Sequence, residues 1–269
     1  MSKTVGNYVI QSKIGSGSYA QVYKAIHKST NEIYAIKMIA KEKLGNDERL
    51  YTNLESEIRI MRDYVHPNVV RLYENLTSGR NIYLVIEYCP GGDLTRFIRK
   101  TQRLTDLVAR VFFVQLVDGL SFLHSRNVIH RDIKPQNILL TESSPAATIK
   151  IADFGFAKHL TEASMAQTPC GTPLYMAPEI FQMKEYNEKA DLWSLGCVYY
   201  EMLVGNTPFR GSSPKELYTN IQTKSLHVPP ELQVSRQTET LLRKVSTHQL
   251  LLASSVIFPT RLTPHVAIN

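Results

Sequence analysis

The sequence has few cysteines and no long apolar run. Its three cysteines, Cys89, Cys170 and Cys197, are far apart and form no Cys-x-x-Cys pair, which argues against a disulfide framework or a zinc site. No apolar run approaches the ~18 residues of a membrane span, and residues 1–14 contain no apolar core of a secretory signal. The sequence therefore predicts a cytoplasmic protein with reduced thiols and no transmembrane segment.

The chain also lacks a dense run of basic residues. Lysine and arginine number 31 against 24 aspartates and glutamates, and the resulting net charge of +7 is spread along the sequence. This distribution gives little support to nucleic-acid binding and is typical of a solvated surface, although it suits an anionic nucleotide. With 43% hydrophobic and 20% charged residues in 269 positions, the composition predicts a folded globular protein large enough for two lobes.

Residues 130–137, His-Arg-Asp-Ile-Lys-Pro-Gln-Asn, place a carboxylate, an ammonium and an amide in one short loop. Such a loop is suited to phosphoryl transfer. Asp132 can accept the proton of an attacking hydroxyl, and Lys134 can offset charge on the transferring phosphoryl group. Asn137 offers an amide oxygen to Mg²⁺, which prefers oxygen ligands. A charged surface turn is the alternative for this segment taken alone.

Three further motifs occur in the order that this chemistry requires. Residues 15–22 form a glycine-containing turn, residues 34–37 read Tyr-Ala-Ile-Lys, and residues 153–155 read Asp-Phe-Gly. Each is weak alone, since glycines in a hairpin usually mark only a turn, but with the loop at residues 130–137 they carry a resemblance to the eukaryotic protein kinases. This resemblance implies a two-lobed α+β fold, ATP and Mg²⁺ as cofactors, and protein substrates.

The resemblance divides the chain into two lobes with a nucleotide site between them. A β-rich small lobe with one key helix would span residues 8–88, and a larger helical lobe would span residues 89–244. Lys37 would reach the α- and β-phosphates, paired with Glu57 from a helix predicted over residues 47–64, with Glu55 as the alternative partner. The other residues implied to contact the nucleotide are Ile14, Gly15, Gly17, Val22, Ala35, Glu87, Cys89 and Leu139.

The Asp-Phe-Gly motif opens a polar segment that resembles an activation loop. Asp153 would join Asn137 in holding Mg²⁺, and Phe154 would pack toward the small-lobe helix. Arg131 could pair with a phosphate on this loop, for which Thr168 is the first candidate and Ser164 the second; an unmodified loop residue is the alternative reading of Thr168.

Several positions indicate which group of protein kinases the chain resembles. Thr172 is expected to contact Asp132 and Lys134, and this combination indicates Ser/Thr substrates. With Gln136 in the loop, we do not expect the chain to prefer substrates that carry arginine upstream of the acceptor hydroxyl. The segments 91–94, 151–157, 165–173 and 209–217 are similar to the autophagy-initiating kinases related to uncoordinated-type kinases, which implies partners in autophagy complexes.

The resemblance stops near Lys244, and residues 245–269 form an atypical tail. A kinase of this group would supply an arginine that pairs with Glu179 of the Ala-Pro-Glu motif, and Arg261 is the nearest substitute here. A buried Glu179 without a partner would cost ~3–5 kcal/mol, against a total stability of ~5–15 kcal/mol. The sequence therefore leaves two hypotheses, an active Ser/Thr kinase and a catalytically impaired, truncated form that binds nucleotide or sequesters partners.

Overall fold

The computed structural model describes residues 3–17, 20–45, 47–154, 158–159, 172–184 and 186–246. Within these residues, a β-rich part is followed by a mainly helical part. This arrangement confirms the α+β fold. Several predicted positions lie outside the described residues, namely Ser18, Tyr19, Gly155, Ser164, Thr168, Cys170 and Arg261.

The β-rich part is a six-stranded antiparallel sheet. Its strands are β1 (Thr4–Val5), β2 (Tyr8–Ser16), β3 (Ala20–His27), β4 (Ile33–Ala40), β5 (Leu72–Thr77) and β6 (Asn81–Glu87). They are paired in the order β1-β2-β3-β4-β6-β5. Lys37 lies near the middle of β4, opposite Val22 on β3 and Leu84 on β6, so the sheet holds this lysine from both sides.

Two helices are inserted into this part, where the sequence predicts one. Helix α1 (Lys41–Leu44) is a single turn that the sequence analysis misses. Helix α2 (Glu48–Asp63) is the predicted helix, one residue shorter at each end. Its buried residues Leu54 and Met61 are spaced three and four positions from Glu57, so that they share one helical face and carry the carboxylate of Glu57 inward.

The helical part begins with helix α3 (Leu94–Thr101). The Asp93 side chain caps this helix by accepting a hydrogen bond from the Arg96 amide at 2.9 Å. Phe97 and Ile98 are buried. Local periodicity does not predict α3, because the helix has only two turns and follows a Pro-Gly-Gly loop signal.

Five further helices and five short strands complete the described chain. Strands β7, β9 and β10 form one sheet, and β8 pairs with β11. The helices are α4 (Asp106–His124), α5 (Pro178–Phe181), α6 (Lys189–Val204), α7 (Pro214–Thr223) and α8 (Arg236–Ser246). The strands are β7 (Gly92–Asp93), β8 (Val128–Ile129), β9 (Ile138–Leu140), β10 (Ile149–Ile151) and β11 (Lys158–His159).

Helix α4 forms the centre of the helical core together with α6. Thr105 caps its N-terminus by accepting a hydrogen bond from the Val108 amide, and the buried side of the helix includes Phe112, Leu116 and Leu120. Its 19 residues are apolar enough to cross a membrane by length and composition, which the sequence analysis does not anticipate. Because α4 packs against α6 and β10, we interpret it as a core helix.

Helix α8 is anchored to this core by a buried hydroxyl. Thr238 is 2% exposed, and its Oγ1 donates to Asp106 Oδ1 at 2.6 Å and lies 3.0 Å from the Tyr199 hydroxyl. The backbone amide of Ser235 donates to the other oxygen of Asp106 at 3.2 Å. The last described helix is therefore joined to α4 and α6 by polar contacts as well as by the buried Leu242.

We expect Thr238→Val to lower the free energy of unfolding by ~1–3 kcal/mol, because Asp106 and Tyr199 lose a buried hydrogen-bond partner. Denaturant-induced unfolding would measure the change. Thr240→Val is the matched control, since the Thr240 hydroxyl is exposed and donates only to the Arg236 carbonyl of the same helix. Equal effects of the two substitutions would contradict the anchoring role.

Candidate active site

A buried carboxylate holds the backbone of the loop at residues 130–137. Asp191, on α6, is 1% exposed and accepts hydrogen bonds from the backbone amides of His130 at 2.9 Å and Arg131 at 2.8 Å. His124 lies 2.8 Å from the same carboxylate. Burial raises the pKa of Asp191, but the contacts with His124 and the charge of His130 outweigh it and hold the pKa below its usual value. The loop is thus fixed by an ionised group.

This support permits a strained backbone just before Asp132. Arg131 has a φ of 69°, in the left-handed region that non-glycine residues rarely adopt. The two hydrogen bonds from the backbone to Asp191 hold the chain in this conformation and turn the Asp132 side chain into the site.

Four predicted residues meet at the centre of the site. Asp132 Oδ2 accepts hydrogen bonds from Lys134 Nζ at 2.6 Å and from Asn137 Nδ2 at 3.0 Å. The Thr172 hydroxyl donates to Asp132 Oδ1 at 3.0 Å and accepts from Lys134 Nζ at 2.8 Å. The expected contact of Thr172 with Asp132 and Lys134 is confirmed. Both oxygens of the Asp132 carboxylate are therefore oriented by donors from the chain itself.

Lys37 joins the sheet, helix α2 and the segment after β10. Its Nζ lies 2.6 Å from Glu57 Oε1 and 3.3 Å from Asp153 Oδ1. The predicted ion pair with Glu57 is confirmed, whereas Glu55 is exposed. Burial lowers the pKa of Lys37, but the charges of Glu57 and Asp153 raise it to a net value above the usual one. Lys37 is therefore a cation.

Asp153 follows β10 with a φ of 64°, and its carboxylate is about half exposed. Burial raises the pKa of this carboxyl, but the charge and hydrogen bond of Lys37 outweigh burial and lower the pKa overall. Phe154, the next residue, is fully buried, with its ring 5.1 Å from that of His130. The chain thus turns the charged side chain toward the cleft and the aromatic one into the core.

Asn137 and Asp153 have the chemistry of magnesium ligands. The amide nitrogen of Asn137 donates to Asp132, which leaves the amide oxygen on the opposite side as the available acceptor. Among the described residues, no group of three or more His, Cys, Asp or Glu side chains could hold a metal ion. A pair of oxygen donors fits Mg²⁺, which commonly takes one or two protein ligands and completes its shell with phosphates and water.

The residues that the resemblance places in or beside the glycine-containing turn lie on β2 and β3, except for Gly17, which follows β2. Gly15 on β2 faces Val22 on β3, and Ile14 is 43% exposed. The Gly17 amide donates to the Ala20 carbonyl at 2.8 Å, and this hydrogen bond closes the turn between β2 and β3. A Cβ built at Gly17 would lie 3.9 Å from the Ala20 carbonyl oxygen, an ordinary van der Waals contact, so that packing does not require this glycine.

The residues expected near the base lie at the junction of the two parts. Ala35 on β4 faces Ile86 on β6. Leu139 is partly exposed, between the buried residues of β9, and so points away from the core. Burial, and to a smaller extent the charge of Glu87, raises the pKa of the Cys89 thiol to about 12. Cys89 is therefore a protonated thiol at neutral pH.

The side chain of Glu87 has an ion-pair partner that no sequence motif predicts. Lys150 Nζ on β10 lies 2.6 Å from Glu87 Oε1, with side-chain exposures of 12% and 20%. The amide of Arg71 donates to the other oxygen of Glu87 at 3.3 Å. This ion pair connects the end of the large sheet to the strand that leads into Asp153. A single lysine between the apolar Ile149 and Ile151 is the signal that could have found it.

The burial of Glu179 differs from the prediction. It is partly exposed rather than buried, because only the neighbouring Pro178 and Ile180 of the short helix α5 face the core. Contact with water therefore reduces the penalty that a fully buried, unpaired charge would carry. The described part of the chain contains no cation paired with Glu179. Arg131, which is predicted to pair with a phosphate on the activation loop, donates to the Tyr186 hydroxyl at 3.4 Å.

Comparison with known proteins agrees with this geometry. The family model described as "protein kinase domain" matches residues 8–254. The chain is 44% identical over 234 residues to the serine/threonine-protein kinase atg1 of Dictyostelium discoideum, covering 86% of this chain and 35% of the relative. It is 44% identical over 228 residues to ATG1c of Arabidopsis thaliana, covering 84% and 31%. The corresponding values for human ULK1 are 40%, 263 residues, 94% and 24%. The chain thus spans about a third or less of these relatives.

We expect Lys150→Met to lower the free energy of unfolding by more than the ~1 kcal/mol of an exposed ion pair and by less than the ~3–5 kcal/mol of a fully buried one. Denaturant-induced unfolding would measure the loss. The double variant Glu87→Gln/Lys150→Met should recover most of it, because no unpaired charge remains.

Arg62→Met is the control for this prediction, because Arg62 and Asp63 form an exposed pair at 2.9 Å. A loss in Lys150→Met no larger than that in Arg62→Met would show that the Glu87–Lys150 pair contributes no more than a surface contact.

Proposed function

The chain belongs to the protein kinase family, and on that basis we propose that it transfers the γ-phosphoryl group of ATP to the hydroxyl of a serine or threonine in a protein substrate. The observation that carries this proposal is the arrangement around Asp132, which is buried, oriented through both oxygens and next to the ammonium of Lys134. Such a carboxylate is suited to orient a hydroxyl and accept its proton.

The proposed reaction uses Asp132 at the acceptor. The substrate hydroxyl oxygen forms a bond to the γ-phosphorus as the bond between this phosphorus and the bridging oxygen breaks, and ADP leaves with the electron pair. The proton of the hydroxyl passes to Asp132. Lys134, which already contacts Asp132 and Thr172, would place its positive charge beside the transferring group.

Lys37 would bind the phosphates at the other side of the site. The Glu57 carboxylate fixes the ammonium in position at 2.6 Å, so that Lys37 need not be reoriented when the nucleotide binds. Bound Mg²⁺, held by Asn137 and Asp153, would offset the negative charge of the phosphates. Ile14, Gly15, Gly17, Val22, Ala35, Glu87, Cys89 and Leu139 would surround the rest of the nucleotide.

The relatives' names support a role for this chain in autophagy. Three of them are named atg1, ATG1c and ULK1, and we propose that the chain acts in autophagy initiation in the cytoplasm with partners of the autophagy complex. The proposed lobes remain residues 8–88 and 89–244. The partial exposure of Glu179 and the anchored helix α8 favour the enzyme over the impaired regulator, because both remove a reason for the large lobe to be unstable.

We expect Asp132→Ala to lower the turnover number by roughly 10²–10⁴-fold or more, because the acceptor hydroxyl loses its base. Phosphate transfer from Mg-ATP to a generic protein substrate would measure the loss, and nucleotide titration should show nearly unchanged ATP binding. Loss of ATP binding in this variant would show that Asp132 has a different role.

Glu57→Gln should lower kcat/KM for ATP by about 10²-fold, because Lys37 loses the group that orients it. Steady-state kinetics at varied ATP concentration would measure this effect. Glu55→Gln is a matched control two residues away, on the exposed side of α2, and should leave the kinetics unchanged. A similar loss in both variants would contradict the Lys37–Glu57 assignment.

A further inference from the structure

Glu87, at the end of β6, is held by contacts from two parts of the fold. Its backbone amide donates to the Arg71 carbonyl at 2.9 Å, and the Arg71 amide donates to its carboxylate Oε2 at 3.3 Å. The other carboxylate oxygen, Oε1, lies 2.6 Å from Lys150 Nζ. Arg71 directly precedes β5 of the large sheet, whereas Lys150 belongs to β10. The ion pair therefore ties the end of β6 to the helical part of the chain.

Lys150 lies on the side of its small sheet that faces away from the core. Its neighbours Ile149 and Ile151 are fully buried, and successive side chains of a strand point to opposite faces. Lys150 is paired with Leu139 on β9, so that these two side chains share one face. Leu139 is a residue that the resemblance places beside the nucleotide. Lys150 thus stands next to the expected base site and directs its ammonium group to Glu87.

Strand β10 makes a second connection to the large sheet, through the backbone before β5. The Ile151 amide donates to the Asn68 carbonyl at 2.8 Å, and the Val70 amide donates to the Ile151 carbonyl at 2.9 Å. Arg71, which holds Glu87, is the next residue of this backbone. The segment before β5, the end of β6 and β10 therefore form a closed ring of contacts, in which the ion pair joins two side chains.

The residue after Glu87 is contacted by a second cation. Lys24 Nζ, on β3, lies 5.4 Å from the centre of the Tyr88 ring, within the range of a cation–π attraction. The side chains at 87 and 88 are thus contacted from β10 on one side and from the large sheet on the other. The position of this short segment therefore depends on both parts of the fold.

We propose that Lys150 is a positioning residue for the nucleotide base. By pairing with Glu87, it holds residues 87–89 against β10 and so fixes the base site relative to Asp153, three residues further along the chain. This inference rests on the proposed kinase function and adds a residue to its nucleotide site. Lys150 acts through Glu87 and not on the reacting atoms. Its loss therefore weakens binding of the base and leaves the transfer step unchanged.

The first test measures binding of the two halves of the nucleotide separately. Isothermal titration calorimetry of the full chain uses adenosine for the base side and magnesium tripolyphosphate for the phosphate side. We expect Lys150→Met to lower the affinity for adenosine about tenfold, within the usual range of coupling between two positions of a fold, and to leave the affinity for tripolyphosphate unchanged. Unchanged adenosine affinity would overturn the proposal. Equal losses for both ligands would also overturn it, because Lys150 would then act on the phosphates or on the whole fold.

The double variant Glu87→Gln/Lys150→Met separates a positioning role from a stabilising one. It should recover most of the stability that Lys150→Met loses, because no charge is left unpaired. Its adenosine affinity should nevertheless stay low, because the two neutral side chains no longer join β6 to β10. Lys150→Arg keeps the positive charge and can pair with the carboxylate, so it should retain the affinity of the unsubstituted chain. Adenosine affinity that recovers together with stability in the double variant would overturn the proposal.

Steady-state kinetics distinguish this proposal from the kinase function itself. For phosphate transfer from Mg-ATP to a generic protein substrate, Lys150→Met should raise KM for ATP about tenfold and leave kcat and the KM for the protein substrate unchanged. The control Lys215→Met removes the same charge from an exposed position on α7 and should alter none of these values.

A fall in kcat of Lys150→Met with an unchanged KM for ATP would overturn the positioning role, as would an equal rise of KM in the Lys215→Met control. Absence of phosphate transfer by the unsubstituted chain, with the calorimetric difference for adenosine retained, would contradict the kinase function and keep the positioning role. Absence of adenosine binding by the unsubstituted chain would overturn the positioning role directly.

Discussion

The site depends on one buried carboxylate. Asp191 is almost completely excluded from water, and an ionised group in that environment must be matched by donors. Its partners are the amides of His130 and Arg131 and the ring of His124. Because two of these donors belong to the catalytic loop, satisfying the buried charge also fixes the loop. The left-handed conformation of Arg131, unfavourable in isolation, is sustained by the same hydrogen bonds.

Two lysines face the cleft beside this loop, and the ammonium group of each contacts two side chains. Lys37 contacts Glu57 and Asp153, and Lys134 contacts Asp132 and Thr172. An ammonium has three N–H donors, and each lysine directs two toward these partners. The third donor of each is the one that can meet a phosphate oxygen. The two ammonium groups come from different parts of the fold, the six-stranded sheet and the loop at residues 130–137. A phosphate group can contact both of them only when these two parts are correctly positioned relative to each other.

Helix α2 could be predicted from the sequence to within one residue at each end, because its periodicity depends on local spacing. The contacts of Glu57 with Lys37 and of Thr172 with Asp132 are long-range, and the resemblance to the protein kinases implied them. Long-range contacts outside the motifs of that resemblance could not be predicted. The Glu87–Lys150 pair joins residues 63 positions apart on strands of two different sheets, and no local pattern encodes this approach. The exposure of Glu179 depends on how the short helix α5 packs, and α3 is too short for its periodicity to outweigh the glycines before it.

The distribution of charge shows the same limit from the opposite direction. Along the sequence the excess of lysine and arginine looks evenly spread, since no run of basic residues is dense. Folding changes this, because residues three and four apart become neighbours on a helix, and Arg96, Arg99 and Lys100 share the exposed side of α3. A cluster of positive charge can therefore form from a sequence with no basic run, and only the packing of the opposite side of the helix decides which of its residues stay in water.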